Sequence, residues 1–194
     1  MILSDRTIRG LATNCGLIDP FDEDQLQPCS YDVRLDSRIK RFVKTNDSAI
    51  HIIDGLSKEL RGISMDTLNV ANMAYALRPG EFILGSTVES VSIPDYLACR
   101  FEGKSSLGRI GLTTHVTAGF IDPGFQGTIT LEIKNENQFP ILLKPGMLIG
   151  QLCFIRLNTK VDRMYGSVGL GSHYQNQIGV TAVSYTHLTL PTIA

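Results

Sequence analysis

The chain has 194 residues, of which 43% are hydrophobic and 19% are charged, and its formal net charge at pH 7 is −1. This length and composition are typical of a globular protein with one domain and a substantial core. The balanced charge argues against a long nucleic acid as partner, whereas a small anion needs only a few clustered cations. The N-terminus has no signal peptide, and no apolar run approaches the roughly 20 residues of a membrane span. We therefore expect a cytoplasmic protein that is not membrane-bound.

The first 72 residues predict a helix, a strand and a segment of weak pattern. Ser4 and Asp5 are good N-cap residues, apolar residues then follow with helical spacing, and Gly16 can end the helix. From Tyr31, apolar and polar residues alternate with a period of two, which indicates a half-buried strand. Residues 44–72 are the hardest to interpret. They favour a short strand at 51–53 and a helical turn at 57–61.

After residue 78 the sequence predicts successive β-strands separated by Gly/Pro turns. The expected strands are 82–91, 97–101, 128–134, 140–143 and 147–157, and a serine-capped helical turn is expected at 106–110. Many short, regularly spaced strands indicate a mainly β fold, either a distorted β-barrel or a jelly roll. The short N-terminal helix and small helical insertions do not change that class. No domain boundary and no internal repeat are visible.

The end of the chain has two unusual stretches. Residues 166–172 (Gly-Ser-Val-Gly-Leu-Gly-Ser) are either a mobile tail or a lid that closes over bound phosphates. Residues 183–194 have no turn residues that fit the preceding pattern, and we interpret them as a translated sequencing adapter rather than native protein. The expected domain is 1–182, with a flexible closing tail at about 166–182.

The strongest chemical signal lies between residues 103 and 132. Residues 103–109 (Gly-Lys-Ser-Ser-Leu-Gly-Arg) gather two cations and two hydroxyls, and residues 119–124 (Gly-Phe-Ile-Asp-Pro-Gly) predict a tight turn. Cations, hydroxyls and free backbone N–H groups suit a polyphosphate. Glu132, on a predicted strand, could transfer protons. Together these features predict a nucleotide site with hydrolytic chemistry.

Each of these residues also has a purely structural explanation. Ser105 and Ser106 could cap a helical turn, and Arg109 could be a solvated surface charge. Asp122 could brace its own turn, and Glu132 could simply face solvent. The clustering of all five favours the functional interpretation.

Two familiar motifs are excluded. A Walker loop needs a glycine five residues before Gly103, where this chain has Ala98, and it also needs a strand–loop–helix unit. A zinc deaminase needs a His-x-Glu or Cys-x-Glu followed by Pro-Cys-x-x-Cys, and the full pattern does not occur. The cysteines and three of the four histidines are far apart in the sequence: Cys15, Cys29, Cys99, Cys153, His51, His115 and His173. We therefore expect no zinc, and free, mostly buried thiols in a reducing cytosol.

Several of these stretches resemble the dCTP deaminase family, which belongs to the trimeric dUTPase superfamily. The signature segments are residues 102–109 and 115–124. Four further segments match in order: residues 2–6, 27–35, 130–133 and 145–151. The resemblance runs from residue 2 to about residue 182 and is weakest over 44–72.

This resemblance implies a dUTPase-like fold, a homotrimer with active sites at subunit interfaces, and dCTP as substrate, with dUTP or dTTP as further possible ligands. Magnesium is expected with the triphosphate, with no metal ligand from the protein. The implied substrate-binding residues are Lys104, Ser105, Ser106, Leu107, Gly108, Arg109, Asp122, Thr130, Leu131, Glu132, Gln151, Tyr165 and Gln177. The implied catalytic residues are Glu132, Ser105, Arg109 and Ala118.

The resemblance also implies a role for each catalytic residue. Glu132 would take a proton from a water that attacks C4 of cytosine and deliver one to the leaving amino group. Ser105 and the backbone at Ala118 would orient that water, and Arg109 would stabilise the developing charge.

Two departures from the family and four candidate functions stay open. Lys104 stands where many members have arginine, and His173 stands where some have lysine. The first function is deamination of dCTP to dUTP and ammonia. The second adds cleavage to dUMP and diphosphate, which Gly119 and Phe120 favour because bifunctional members resemble the chain there. A plain dUTPase is the third, and a non-catalytic nucleotide-binding module is the fourth.

Overall fold

A computed structural model describes residues 1–43, 51–53, 59–61 and 64–181. The stretch interpreted as an adapter, 183–194, lies outside these residues. Within them, no helix is long and apolar enough to cross a membrane. The structure is mainly β, as predicted, with strands far outnumbering helices.

The elements follow one another in chain order with few helical insertions. The helices are α1 (Asp5–Cys15) and α2 (Ser105–Gly108), with a 3₁₀ turn at Glu23–Gln25. The described strands are β1 (Ile18–Asp19), β2 (Leu26–Gln27), β3 (Ser30–Arg34), β4 (Arg38–Val43), β5 (His51–Ile53), β6 (Glu59–Arg61), β7 (Ser64–Asn69), β8 (Tyr75–Leu77), β9 (Phe82–Ser92), β10 (Leu97–Gly103), β11 (Leu112–Thr113), β12 (Phe120–Ile121), β13 (Gln126–Asn135), β14 (Ile141–Leu143) and β15 (Leu148–Arg156).

Two larger antiparallel sheets form the body of the protein. The first has the order β11-β13-β9-β4-β7, with β1 also paired to β9, and the second has the order β12-β10-β15-β3-β2. The pairs β8–β14 and β5–β6 form two small sheets. The two larger sheets are not closed into a barrel. One hydrophobic cluster takes side chains from both of them, including Tyr31 and Phe154 from the second and Ile83 and Leu131 from the first.

The predicted limits of the N-terminal helix are confirmed, although the expected side-chain cap at its start is not formed. Ile8 and Ala12 are buried on one face, and Gly16 ends the helix with φ at 64°, a left-handed conformation that glycine adopts without steric cost. Ser4 occupies the N-cap position, but its side chain makes no capping hydrogen bond. Its carbonyl oxygen instead accepts from the N–H groups of Thr7 and Ile8.

Three local predictions were wrong, two of them because strand pairing or contacts between elements override the local pattern. Residues Glu59–Arg61 form a strand paired with β5 rather than a helical turn. The helical turn α2 has Lys104, not a serine, at its N-cap. The strand β3 is not half-buried: Ser30 and Asp32, on its polar face, are 5% and 3% exposed. Side chains from other elements lie against that face, Lys104 on Asp32 at 2.6 Å and Gln151 on Ser30 at 3.1 Å.

The cysteines are free, as expected, but they are not mostly buried. Cys15 and Cys29 are exposed, Cys153 is half-buried, and only Cys99 is fully buried. Burial raises the pKa of the Cys99 thiol well above its usual value. Cys99 is therefore a neutral core side chain rather than a reactive thiol.

A buried charge pair joins the two large sheets. Glu89 of β9 is 0% exposed, and its Oε1 accepts from Arg34 Nε of β3 at 2.6 Å and from Gln25 Nε2 at 3.0 Å. Its Oε2 accepts from the Arg34 backbone N–H at 2.8 Å. A carboxylate this deeply buried is tolerated only while such donors surround it.

Candidate functional site

Glu132 lies on the outward face of β13, where the sequence placed it. Along this strand Leu131 and Ile133 are buried while Thr130 and Glu132 are partly exposed, so the predicted alternation is confirmed. Glu132 Oε2 accepts hydrogen bonds from the backbone N–H groups of Val116 at 2.8 Å and Thr117 at 3.2 Å. Two donors on one oxygen fix the carboxylate relative to the loop between β11 and β12.

Glu132 lines a cavity of about 300 Å³, called here the Glu132 cavity. Most of its wall is apolar, and the polar side chains are few. The lining residues are Leu84, Ala118, Phe120, Ile121, Asp122, Phe125, Ile129, Thr130, Glu132, Tyr165, Tyr174, Gln177 and Thr181. An apolar pocket with a few convergent polar groups is the usual character of a small-molecule site.

The turn at residues 119–124 shapes one wall of this cavity and depends on glycine at both ends. A Cβ on Gly119 would come within 2.7 Å of the Phe101 carbonyl oxygen. Gly124 has φ at 94°, and a Cβ there would lie 2.5 Å from Met164 Cβ. Larger residues at either position would displace the backbone that carries Asp122.

The C-terminal tail lies over the same cavity. The Tyr174 N–H donates to the Tyr165 hydroxyl at 3.0 Å. Gln177 Nε2 donates to the Thr128 carbonyl at 2.6 Å, and the Thr128 N–H donates to the Gln177 carbonyl at 3.0 Å. These contacts join Gln177 to β13, and Tyr165 and Gln177 both line the Glu132 cavity. That the tail acts as a lid stays a prediction.

A second cavity of about 440 Å³ lies beside α2 and is called here the anion pocket. It is lined by one lysine, hydroxyl side chains, a histidine, a glutamine and backbone groups. The lining residues are Gly103, Lys104, Ser105, Ser106, Gly108, Leu112, Thr113, Thr114, His115 and Gln151. The lining contains no carboxylate, so its polar groups suit an anion better than a bare metal ion.

Two side chains of the anion pocket are held by the buried strand β3. Lys104 Nζ donates to Asp32 Oδ2 at 2.6 Å. The Ser30 hydroxyl donates to Gln151 Oε1 at 3.1 Å. Ser30 and Asp32 are two residues apart and therefore project from the same face of the strand.

The residues that the sequence predicted as one site line two separate cavities. Six line the Glu132 cavity: Ala118, Asp122, Thr130, Glu132, Tyr165 and Gln177. Five line the anion pocket: Lys104, Ser105, Ser106, Gly108 and Gln151. The remaining three line neither: Leu107 packs partly buried against the core, Leu131 is 0% exposed, and Arg109 is exposed at the end of α2. The two linings share no residue.

Several lining residues had no predicted role. Phe120 and His115 belong to the signature segments, so the sequence contained a signal for them. Tyr174 stands between two predicted tail residues. Thr114 had no signal: its hydroxyl is buried, and among the described residues it has no hydrogen-bond partner. Asp32, which contacts Lys104 without lining the pocket, is a polar position of the predicted alternating strand and lies in the matched segment 27–35, but had no predicted role.

Comparison with known proteins agrees with this geometry. A sequence profile described as dCTP deaminase-like matches residues 2–157. A protein of Beutenbergia cavernae named dCTP deaminase, dUMP-forming is 49% identical over 183 residues, covering 94% of this chain and 93% of its own. A Mycolicibacterium smegmatis protein of the same name is 49% identical over 191 residues and 97% of each chain.

A solved structure is similar as well. The 2'-deoxycytidine 5'-triphosphate deaminase from Agrobacterium tumefaciens superposes with a TM-score of 0.61 and 26% identity, over 79% of this chain and 47% of that one. The family profile covers most of the chain, and the curated relatives align over nearly all of it. The chain therefore belongs to the dCTP deaminase-like family.

Proposed function

We propose that this chain is a dUMP-forming dCTP deaminase, which converts dCTP and two waters to dUMP, ammonia and diphosphate. The support is that relatives 49–51% identical over nearly the whole chain have that name. The sequence alone favoured dUTP as the product and gave dUMP as the alternative, so the proposal reverses that preference. Gly119, which favoured the bifunctional alternative by resemblance, is packed so closely against the Phe101 carbonyl that a side chain there would displace the backbone.

The observation that carries the proposal is the Glu132 carboxylate, held by two backbone N–H groups at the wall of a cavity of about 300 Å³. With one oxygen occupied by these donors, the carboxylate can use the other to take a proton from water. That water would attack C4 of cytosine, and Glu132 would return the proton to the amino group as its bond to C4 breaks. The second proton of the water would end on N3 of the uracil product. The net step adds water and releases ammonia.

The two cavities suit different parts of a nucleotide. The largely apolar Glu132 cavity, with Thr130 and Asp122, suits a base and sugar, while the anion pocket with Lys104, Ser105 and Ser106 suits phosphates. The lining of the anion pocket contains no carboxylate, so a magnesium ion would be held there by the triphosphate's own oxygens. Bound magnesium would neutralise phosphate charge. We also propose a cytoplasmic location, where such a nucleotide is available.

We further propose a homotrimer in which one subunit's anion pocket completes a neighbour's Glu132 cavity. The support is that the two linings on one chain share no residue, and that Arg109, exposed at the end of α2, lines neither of them. A closed ring of three head-to-tail interfaces would bring the two halves together three times.

Subunit mixing tests this composite site. We expect Glu132→Gln and Arg109→Ala to be nearly inactive alone. Unfolded and refolded together at equal amounts, they should recover about a quarter of wild-type activity. In a random mixture, half of the subunits supply an intact Glu132 and half of their neighbours supply an intact Arg109, so about one interface in four has both. Light scattering on the same samples reports the assembly. A mixture no more active than its components, or an active monomer of about 21 kDa, would contradict the proposal.

Product analysis tests the reaction itself. With dCTP and magnesium, we expect ammonia, dUMP and diphosphate to appear in equal amounts. Anion-exchange chromatography resolves dUMP from diphosphate, and ammonia is assayed separately. Accumulation of dUTP would show a deaminase without the cleavage step. Cleavage of added dUTP with dCTP untouched would show a plain dUTPase. Nucleotide binding without any product would show a non-catalytic module.

A further inference from the structure

We propose that Asp32 is a positioning residue that determines the anion selectivity of the anion pocket. Through its ion pair with Lys104, it would make the pocket favour phosphate groups that the rest of the nucleotide holds against the ammonium over free anions such as inorganic phosphate. This inference rests on the proposed function, in which the pocket receives the substrate's phosphates.

The geometry of the pair places Asp32 behind Lys104. The Asp32 side chain is 4% exposed, whereas that of Lys104 is 24% exposed and lines the pocket. The Lys104 ammonium has three N–H donors, and one of them is bound to Asp32 Oδ2 at 2.6 Å. The remaining donors are available on the pocket side, so the carboxylate orients a side chain that would otherwise sample many rotamers.

The carboxylate depends strongly on this lysine. Asp32 Oδ2 has one further donor, Gln27 Nε2, at the long distance of 3.5 Å. Asp32 Oδ1 has no hydrogen-bond partner among the residues that the structure describes. Because a buried carboxylate needs compensation, the ion pair should persist when a ligand binds.

The electrostatic consequence is a pocket with a local dipole instead of a net positive charge. The attraction of an ion pair for an anion falls off with distance faster than that of a single charge, because the carboxylate repels what the ammonium attracts. A phosphate oxygen that hydrogen-bonds Lys104 still gains a charge-assisted bond. An anion that stays further away gains little.

The same strand supplies a second support of this kind. The Ser30 hydroxyl occupies Gln151 Oε1 at 3.1 Å, which leaves the amide N–H groups of Gln151 as donors. Ser30 is 5% exposed and, like Asp32, belongs to the unexpectedly buried face of β3. Burial of this face therefore has a functional explanation: it orients donors on β15 and at the start of α2.

The test compares inhibition by inorganic phosphate with the KM for dCTP in Asp32→Asn. Asparagine keeps the shape but removes the negative charge, so Lys104 should attract all anions. We expect the inhibition constant of phosphate to fall about tenfold, the order expected of one uncompensated charge nearby. The KM for dCTP should not fall with it, because the nucleotide loses the orientation of the ammonium that its phosphate hydrogen-bonds, and this loss offsets the stronger attraction. Selectivity therefore drops about tenfold. An unchanged ratio in a folded, active variant would overturn the proposal.

Two matched variants isolate the cause. In Asp95→Asn, which removes the partner of Lys160 at 3.0 Å on the surface, the ratio should stay at the wild-type value. In Asp32→Asn combined with Lys104→Gln, the gain in phosphate binding should disappear. If the gain persists without Lys104, or if Asp95→Asn reproduces it, Asp32 does not act as proposed.

Two further measurements test the role of Asp32 without depending on the proposed enzymatic function. In the wild-type protein, inhibition by phosphate should weaken little with added salt, and a steep salt dependence would contradict the paired lysine. Calorimetric titration with phosphate and with tripolyphosphate measures selectivity without turnover. If wild-type protein releases no ammonia from dCTP, the proposed function fails, while these titrations still decide whether Asp32 sets the selectivity.

Discussion

Replacing Glu132 by glutamine should abolish ammonia release from dCTP while leaving dCTP binding within about tenfold of wild type. Removing a general base typically lowers the rate by about 10²–10⁴. The substitution is well matched to the site, because both backbone donors, from Val116 and Thr117, bind the same carboxylate oxygen. The single amide oxygen of glutamine can accept both bonds and hold the loop, so only the proton-transfer function is lost.

The measurement is ammonia release under single-turnover conditions, together with calorimetric titration of dCTP. Glu136→Gln is the matched control, because Glu136 is exposed at the end of the same strand region and pairs with Lys134 at 2.8 Å. We expect it to deaminate at the wild-type rate. A Glu132→Gln variant that also works at that rate would show that another group activates the water.

The position of Glu132 was predictable because the period of a strand is a local property. Alternation along 128–134 places Leu131 inside and Glu132 outside whatever the rest of the fold does. The limits of the N-terminal helix were predictable for the same reason, since Gly16 ends it through its own backbone conformation.

The division of the site into two cavities was not predictable from the pattern. Residues 103–109 and Glu132 are close in sequence, but β10 and β13 belong to different sheets, and the sheet order is set by long-range pairing. Asp32 shows the same limit. Its alternation with apolar neighbours predicts an exposed side chain, whereas in the fold the carboxylate is buried in contact with the side chains of Gln27 and of Lys104, which lies 72 residues later in the chain.

The largest expected effect on stability comes from Arg34→Met. This change leaves the Glu89 carboxylate, 0% exposed, without its charged partner between the two sheets. Breaking a buried ion pair by removing one partner typically costs about 3–5 kcal/mol of unfolding free energy. Urea unfolding at fixed protein concentration measures the loss, since concentration matters for any oligomer.

Two comparisons identify the buried charge as the cause. Arg41→Met removes one partner of the exposed Arg41–Asp66 pair, whose side chains are 45% and 49% exposed, and should change stability by no more than about 1 kcal/mol. Arg34→Met combined with Glu89→Gln should recover much of the loss, because the amide removes the stranded charge while its oxygen can still accept from the Arg34 backbone N–H. If the double variant is as unstable as Arg34→Met alone, packing around Arg34 rather than the stranded carboxylate accounts for the destabilisation.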